Sequence, residues 1–326
     1  MRQYTITEND AAQRLDKFLK KLLPNASSSL IYKFNRKDKI KINGKRQDNE
    51  YKLQIGDIVK VFLLDSDFET LTKKVEEKKI ENRDKFDVKN IVYEDADMLV
   101  INKEPGINVH PWDYKTKETN IISQVQDYLG DKLNSLTFKP SLVHRIDRDT
   151  SGILIIGKKK DMLTKLVADF KEHKKVKKVY YAIAIWKLPH KTGKIDKKLL
   201  RIEWAKNEDK VQISDQWQTA LTHYKVLKEH ILKTPTGEKV ISEVEVEILT
   251  GRMHQIRVHL ASLGTPILWD DKYWDKPFNA YISKNFWLSR QALHAWKIDF
   301  FHYTKWKTQT LEAKMKKDLT NFINQL

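Results

Sequence analysis

The 326-residue chain contains no cysteine. That excludes disulfides, thiolate catalysis and cysteine-ligated zinc or iron–sulfur centres, and it fits a reducing compartment. Long apolar runs are missing as well. Nothing approaches the ~20 residues of a membrane span, and the opening MRQYTITENDAAQ has no apolar signal core, so a soluble cytoplasmic protein is expected. There is no glycine-rich phosphate loop and no convincing internal repeat, and no cofactor is expected. Histidine occurs ten times, but not in a ligand pattern. His254 and His259 are five apart and cannot share a helix face, and neither His-x-x-x-His nor paired carboxylates occur, so no metal site is expected.

What the chain has in excess is positive charge: 61 Lys+Arg against 44 Asp+Glu, a formal +17. This exceeds what solubility needs and points to a polyanionic partner, nucleic acid first. The plainer alternative is a lysine-rich surface that is merely solvated. The length is more than one small core requires, so two domains are expected.

Leu15, Phe18, Leu19, Leu22 and Leu23 recur at helical spacing with Lys17, Lys20 and Lys21 between them, which predicts an amphipathic helix with a basic face. A second such stretch surrounds Ile31 and Phe34. KIKINGK reads as a strand ending in an Asn43-Gly44 turn, and LQIGDIVKVFLL as turn and strand. These elements make a small module over 1–64. Residues 65–89 are dense in mixed charge and poor in periodic apolar residues, and read as a linker.

From residue 90 to 326 the pattern becomes regular. NIVYEDADMLVIN predicts a hairpin around Asp95 to Asp97, and ILIIG a buried strand. A helix is expected from near Asp161 as N-cap, and strands at Val244, Val246, Ile248 and at Trp296, Ile298, Phe300. RMHQIRVHLASLG reads as a helix with Met253, Ile256, Leu260 and Leu263 on one stripe, His254 and Arg257 together on another face, and Gly264 as its stop. Many strands with few helices between them predict an α+β class, a mixed, largely antiparallel sheet with a small α+β module ahead of it.

LVHRIDRDTSGILIIG, residues 142–157, sets charged side chains directly against an apolar strand. A carboxylate so close to a core needs a partner. On local sequence Asp147 either pairs within its own loop, through Arg145 or Arg148, or does chemistry. Asp149, beside Thr150 and Ser151, fits an exposed turn. Five lysines between Lys171 and Lys178 lead to Tyr180 and Tyr181, either a solvated loop or a phosphate-contacting edge before a site aromatic. Arg252, His254, Arg257 and His259 crowd one strand-to-helix junction, which suits an anion or a catalytic carboxylate.

Taken together these segments resemble the RluA-type RNA pseudouridine synthases. HRIDRDTSGILIIGKK resembles the family's His-Arg-Leu-Asp motif, KVYYA its Lys-x-Tyr-x-Ala motif, and LTGRMHQIRVHLASLGTPILWDDKYW its Thr-Gly-Arg-x-His-Gln-Ile-Arg block. MLVINKEPGINVHP and LHAWKIDFFH resemble the motifs that open and close the domain. The likeness runs from about residue 90 to 310. RLDKFL, INGK and LQIGDIVKV resemble the α-L RNA-binding module often fused in front. The resemblance implies that Asp147 is the catalytic aspartate, Tyr180 the aromatic that stacks on the target base, and Arg257 the partner of Asp147. It makes Arg145 the side chain that enters the RNA where the base leaves, and places Arg252 and His254 in the pocket. His144 and Lys178, inside the same motifs, complete the RNA-binding set.

Four positions depart from the family pattern. Glu104 displaces Pro105 by one, Trp186 and Trp269 stand where glycine is usual, and Ser28 replaces a frequent arginine. The first three bear on loop shape and RNA specificity, the last on the module's grip on RNA.

The implied reaction isomerises uridine within RNA, with ribosomal favoured over transfer RNA, in a monomeric enzyme without cofactor. Its carboxylate either attacks the sugar or takes a proton from it. An arginine at ~4 Å would favour the ionised carboxylate by about 4 kcal/mol at an effective dielectric of ~20, before desolvation. Two other classes were weighed: a non-catalytic RNA binder, which would not need Asp147, Tyr180 and Arg257 together, and a glycosidase, which would want two paired acids.

Overall fold

A computed structural model of the chain describes residues 1–73, 85–111, 119–130, 133, 135–204, 208–273 and 276–326. The chain packs as two compact units. One comprises Met1–Phe86, Ser123–Ser141 and Lys158–Asp161; the other Asp87–Ile122, Leu142–Gly157 and Met162–Leu326.

In the first unit the order is β1 (Arg2–Thr5), α1 (Leu15–Leu22), α2 (Ser28–Arg36), β2 (Ile40–Ile42), β3 (Ile58–Val61) and α3 (Asp65–Thr72). Helix α1 buries Leu15, Phe18 and Leu19 and leaves Lys17, Lys20 and Lys21 in water, as its spacing predicts. The Ser27 hydroxyl caps α2 by accepting the Leu30 amide at 3.2 Å. Asn43 and Gly44 have φ of 51° and 81°, so both central turn residues are left-handed and the reversal suits Asn-Gly. The strands form an antiparallel sheet in the order β1-β3-β2.

Helix α3 departs from the sequence reading. The expected linker over 65–89 opens as a helix that buries Phe68 in the unit's apolar core. Its apolar positions are too few for a periodic signal. Residues 74–84 of that expected linker lie outside the described residues.

Asp10, fully buried, gathers much of this unit's polar bonding. Its carboxylate accepts the amides of Leu136 and Thr137, both at 2.9 Å, and the hydroxyls of Thr137 at 2.7 Å and Ser135 at 3.0 Å. Burial alone would raise its pKa, but these bonds to the ionised form outweigh burial and lower it.

The chain continues with β4 (Ile91–Glu94), β5 (Met98–Lys103), α4 (Ile121–Leu129), β6 (Ser141–Leu142), β7 (Ser151–Gly157), α5 (Lys160–Glu172), β8 (Val176–Ile185), β9 (Thr192–Asp196), β10 (Leu199–Trp204) and β11 (Glu208–Ile213). It ends with β12 (Leu221–Thr234), β13 (Gly237–Ile248), α6 (Gln255–Ala261), α7 (Lys276–Phe286), β14 (Leu293–His302), β15 (Lys307–Glu312) and α8 (Lys317–Asn324). The large sheet runs β4-β5-β7-β14-β8-β13-β12-β9, with β15 on β14 and β6 on β7, and β10 and β11 make a separate ribbon. Only the β7–β14 pair along that path is parallel. The class is therefore α+β with a largely antiparallel sheet. No helix among the described residues is long and apolar enough to cross a membrane.

Three local expectations need correction. Helix α5 starts at Lys160, so Asp161 lies in its first turn rather than at the cap. Helix α6 starts only at Gln255, with His254 as a left-handed N-cap residue at φ 52°, so Met253 is not on its stripe. Trp296 is half-buried, because a register shift between Ala295 and Lys297 breaks the alternation that Ile298 and Phe300 keep.

The β7–β14 pairing demands Gly152. At φ 110° its backbone passes so close to Ala295 that any Cβ would collide with that residue's carbonyl and amide. Ser151, next to it, donates its hydroxyl to His294 Nδ1 at 2.8 Å.

Candidate active site

Residues 144–150 form the loop entering β7, and its backbone is held at successive carbonyls. That of Asp147 accepts the Thr150 amide at 3.2 Å. That of Arg148 accepts Lys103 Nζ at 2.7 Å and the Gly106 amide at 3.0 Å, and that of Asp149 accepts Arg290 Nη1 at 3.2 Å. Lys103 is fully buried and also donates to the carbonyls of Glu104 at 2.7 Å and Ile107 at 3.0 Å. Three acceptors require three N–H bonds, which a lysine supplies only as the ammonium.

Fixed this way, the Asp147 carboxylate looks away from its own loop. Its Oδ2 lies 3.3 Å from Arg257 Nη1 and 3.9 Å from His254 Nε2. Arg148 instead meets Asp149 at 3.7 Å, and Asp149 is a turn residue with a side chain 44 % exposed.

Arg257 is buried on α6 and its own position is imposed by a second carboxylate. Asp270, completely buried, receives Nε at 2.7 Å and Nη2 at 2.8 Å, a bidentate pair. Asp271 accepts from Nη2 at 3.2 Å. Burial works against the guanidinium charge, but the bonds and attraction to Asp270 prevail and its pKa is raised.

His254 hydrogen-bonds through Nδ1 to the Tyr273 hydroxyl at 2.9 Å, and that hydroxyl accepts the Val211 amide at 2.9 Å. With its acceptor side so occupied, the hydroxyl gives its own proton to Nδ1, leaving the ring proton on Nε2, which faces Asp147. Burial pulls the His254 pKa down to about 4 against the attraction of Asp147, so the ring is neutral at pH 7.

Tyr180 and Tyr181 divide across the sheet. Tyr180, buried on β8, borders the same cavity as Asp147, and burial together with Asp147 raises its pKa so that the phenol stays protonated. Tyr181 donates to Glu243 at 2.5 Å and meets Trp296 edge-on at 6.2 Å.

Asp147, Tyr180, Arg257 and His254 border one cavity of about 730 Å³ together with Arg145, His144, Arg252 and Lys178, whereas Tyr181 and His259 are not part of its lining and His259 bonds Thr222 instead. Arg145 is exposed at its edge. His144 stacks on Phe170 at 4.7 Å and accepts the Ile155 amide through Nε2 at 3.3 Å; burial lowers its pKa to about 3, so it is neutral. Arg252 donates to the Thr219 carbonyl at 3.2 Å. Lys178 is buried and donates to the Thr250 carbonyl at 3.3 Å. The cavity has room for a nucleoside and its flanking groups.

Sequence reasoning missed Asp270, Tyr273 and Lys103 as the residues that hold this arrangement. Asp270 and Tyr273 stand in the quoted block LWDDKYW, where a buried aspartate following an arginine-bearing helix was the available signal. Lys103 offered none, because a lysine at a strand end reads as solvated.

Among the described residues one group has metal-like proximity: Asp95, Asp97 and His302, whose ligand atoms lie within 4.8 Å of one another. Asp95 already accepts His302 Nε2 at 2.8 Å and the Tyr93 hydroxyl, and His302 Nδ1 accepts the Lys305 amide at 3.3 Å. With both ring nitrogens engaged, the histidine has no lone pair to offer an ion.

Residues 97–262 match the family model described as RNA pseudouridylate synthase, and residues 13–59 match the S4 domain. The chain is 36 % identical to ribosomal large subunit pseudouridine synthase C of Buchnera aphidicola subsp. Baizongia pistaciae, over 98 % of this chain and 96 % of that one. It is 35 % identical to the protein of the same name from Vibrio vulnificus, over 98 % and 95 %. Among solved structures, human RNA pseudouridylate synthase domain containing 4 superimposes with a TM-score of 0.56 at 25 % identity, covering 72 % of this chain and 92 % of that one. The chain belongs to the RNA pseudouridylate synthase family and is an RNA-modifying isomerase preceded by an S4 domain.

Proposed function

We propose that the protein converts a uridine of large-subunit ribosomal RNA to pseudouridine, with Asp147 as catalytic carboxylate, Tyr180 as the ring on which the target base stacks, and Arg257 as the cation that pairs with Asp147. One observation carries this reading: among the described residues Asp147 is the only carboxylate bordering a cavity whose lining also holds six Lys and Arg side chains, and its partner Arg257 is fixed from behind by Asp270. Relatives named for the large ribosomal subunit match nearly the whole chain, which favours ribosomal over transfer RNA.

The target uridine leaves its stack at a cost of a few kcal/mol. Arg145, exposed at the cavity edge, takes its place in the RNA, while His144, Arg252, His254 and Lys178 line the site. The N1–C1′ bond breaks, the uracil turns, and C5 bonds to C1′; the hydrogen on C5 leaves as a proton and N1 ends with one. Atoms and oxidation state are conserved, so no cofactor is called for. The ionised Asp147 serves by attacking C1′ and being displaced, or by taking a sugar proton and returning it.

Residues 1–64, extended by α3, act as an RNA-binding module and 90–326 as the catalytic domain. The enzyme works in the cytoplasm as a monomer. The test is to map pseudouridines in ribosomal RNA from cells with and without the gene, and to restore the missing sites with the purified protein. A pseudouridine lost from large-subunit RNA is expected; an unchanged map overturns the proposal.

A further inference from the structure

Among the described residues Lys178 has no anionic partner. It is 8 % exposed, its amine donates only to the Thr250 carbonyl at 3.3 Å, and among the described residues no carboxylate pairs with it. The charge that acts on it is the like charge of Arg252, while Asp147, on the same cavity, pairs with Arg257. Arg252 and His173 share the cavity wall with it, and Lys171 and Arg145 lie on the same lining. Gly251 lies against the amine, where an added Cβ would be in van der Waals contact with Nζ at 3.7 Å. A buried cation facing cations is costly to maintain unless a ligand brings the negative charge. Uracil is neutral, and the anionic group of a nucleotide within RNA is its phosphodiester.

We propose that Lys178 and Arg252, with His173 beside them, form a subsite for one backbone phosphodiester adjoining the target uridine. The subsite rests on the function proposed above. It holds the strand while the base is displaced, and it leaves the chemistry to Asp147.

The test uses the Asp147→Asn protein and an unmodified transcript of large-subunit ribosomal RNA. Adding Lys178→Met should weaken binding about tenfold and flatten the slope of log affinity against log salt by roughly 0.7, the signature of one lost phosphate contact on a single strand. Lys178→Arg should keep both. Burial, with Arg252 nearby, lowers the Lys178 pKa to about 8, so affinity should fall between about pH 7 and pH 9 in the parent but not in Lys178→Arg. His173 and His144 face Lys178 as well, yet their pKa values are lowered from an already acidic range and neither titrates there. An unchanged salt slope in Lys178→Met overturns the subsite. If that variant does not fold, a flat pH profile in the parent does so. Failure of the wild-type protein to make pseudouridine would instead overturn the function on which the subsite rests.

A different observation concerns tryptophan. Trp186, Trp269, Trp287 and Trp306 have φ of 76°, 59°, 57° and 51°, a left-handed backbone that bulky side chains avoid and glycine adopts freely. Trp287 and Trp306 are 85 % and 76 % exposed, so little packing offsets the strain, Trp306 meeting Phe301 edge-on at 5.3 Å, and the Trp269 indole N–H is buried without a partner. Trp186 and Trp269 also stand where the family has glycine. The chain carries nine tryptophans and only ten glycines in 326 residues, less than half the usual glycine share of about 7 %.

We infer that the cell inserts glycine at these four positions, their codon being UGA, which is one base from both the tryptophan codon UGG and the glycine codon GGA. Peptide mass spectrometry of the protein isolated from its native cells should give the mass of glycine at all four. A tryptophan mass there, or UGG in the gene at these positions, overturns the inference. Trp296, which donates to Glu312 at 2.7 Å from a strand, serves as the internal control and should remain tryptophan.

Discussion

Asp270 holds Arg257 through Nε and Nη2 at 2.7 and 2.8 Å and leaves Nη1 to face Asp147 at 3.3 Å. The proposed catalytic carboxylate thus faces a cation whose charge is already largely balanced. It is attracted, but not locked into a bidentate pair of its own.

Asp147→Asn should abolish pseudouridine formation while leaving RNA affinity within a few-fold of the parent, since the amide keeps the shape and loses the charge. Single-turnover assays on a ribosomal RNA transcript measure the first and filter binding the second. Retained turnover would remove Asp147 from the mechanism.

Asp270→Asn breaks a buried ion pair from one side, a change that costs about 3–5 kcal/mol in stability. Arg257 then shifts, and a misplacement of ~1 Å is worth up to about 100-fold in rate. A lower urea midpoint together with reduced kcat is expected. Loss of stability alone, with kcat intact in the folded fraction, would make Asp270 structural only.

Acid should destabilise the protein through its buried histidines. Burial lowers His144 to about 3 and His254 and His294 to about 4, against an ordinary value of 6.5. Between about pH 4 and 6.5 the unfolded chain binds these protons and the folded chain does not, so stability falls as pH falls through that window and is fully present above it. Urea midpoints at about pH 7 and pH 5 should differ accordingly. Below about pH 4 the lowered pKa values of Asp10 and Asp318 add a further loss.

Gly152→Ala forces a Cβ into the Ala295 backbone at a φ of 110°. A cost of at least about 3 kcal/mol is expected from the strain and overpacking combined. Circular dichroism and denaturation of the variant check it; a wild-type melting curve would mean that β7 and β14 separate more easily than their geometry suggests.

The elements readable in the sequence were those whose side chains repeat. Leu15, Phe18 and Leu19 marked a helix, and Val244, Val246 and Ile248 a strand, because burial on one face writes a period into the chain. Helix α3 buries Phe68 alone in full and wrote none. In the site, the motifs drew attention to Asp147, Tyr180 and Arg257, which border one cavity. The residues that hold them were not readable, because Asp270 and Lys103 act through bonds to a guanidinium and to backbone carbonyls, and such partners follow from the tertiary fold.

The clamp on the Asp147 loop has a consequence for synthesis. Arg290 grips the Asp149 carbonyl, Gln291 donates to the Thr150 hydroxyl at 2.7 Å, and His294 and Ala295 pair with the start of β7. Asp147, Tyr180 and Arg257 are all synthesised before any of these residues. A nascent chain therefore holds its whole proposed catalytic set, with Lys103 and Asp270 to steady it, before the last part of its frame exists, and that frame closes when the strand starting at Leu293 pairs beside β7.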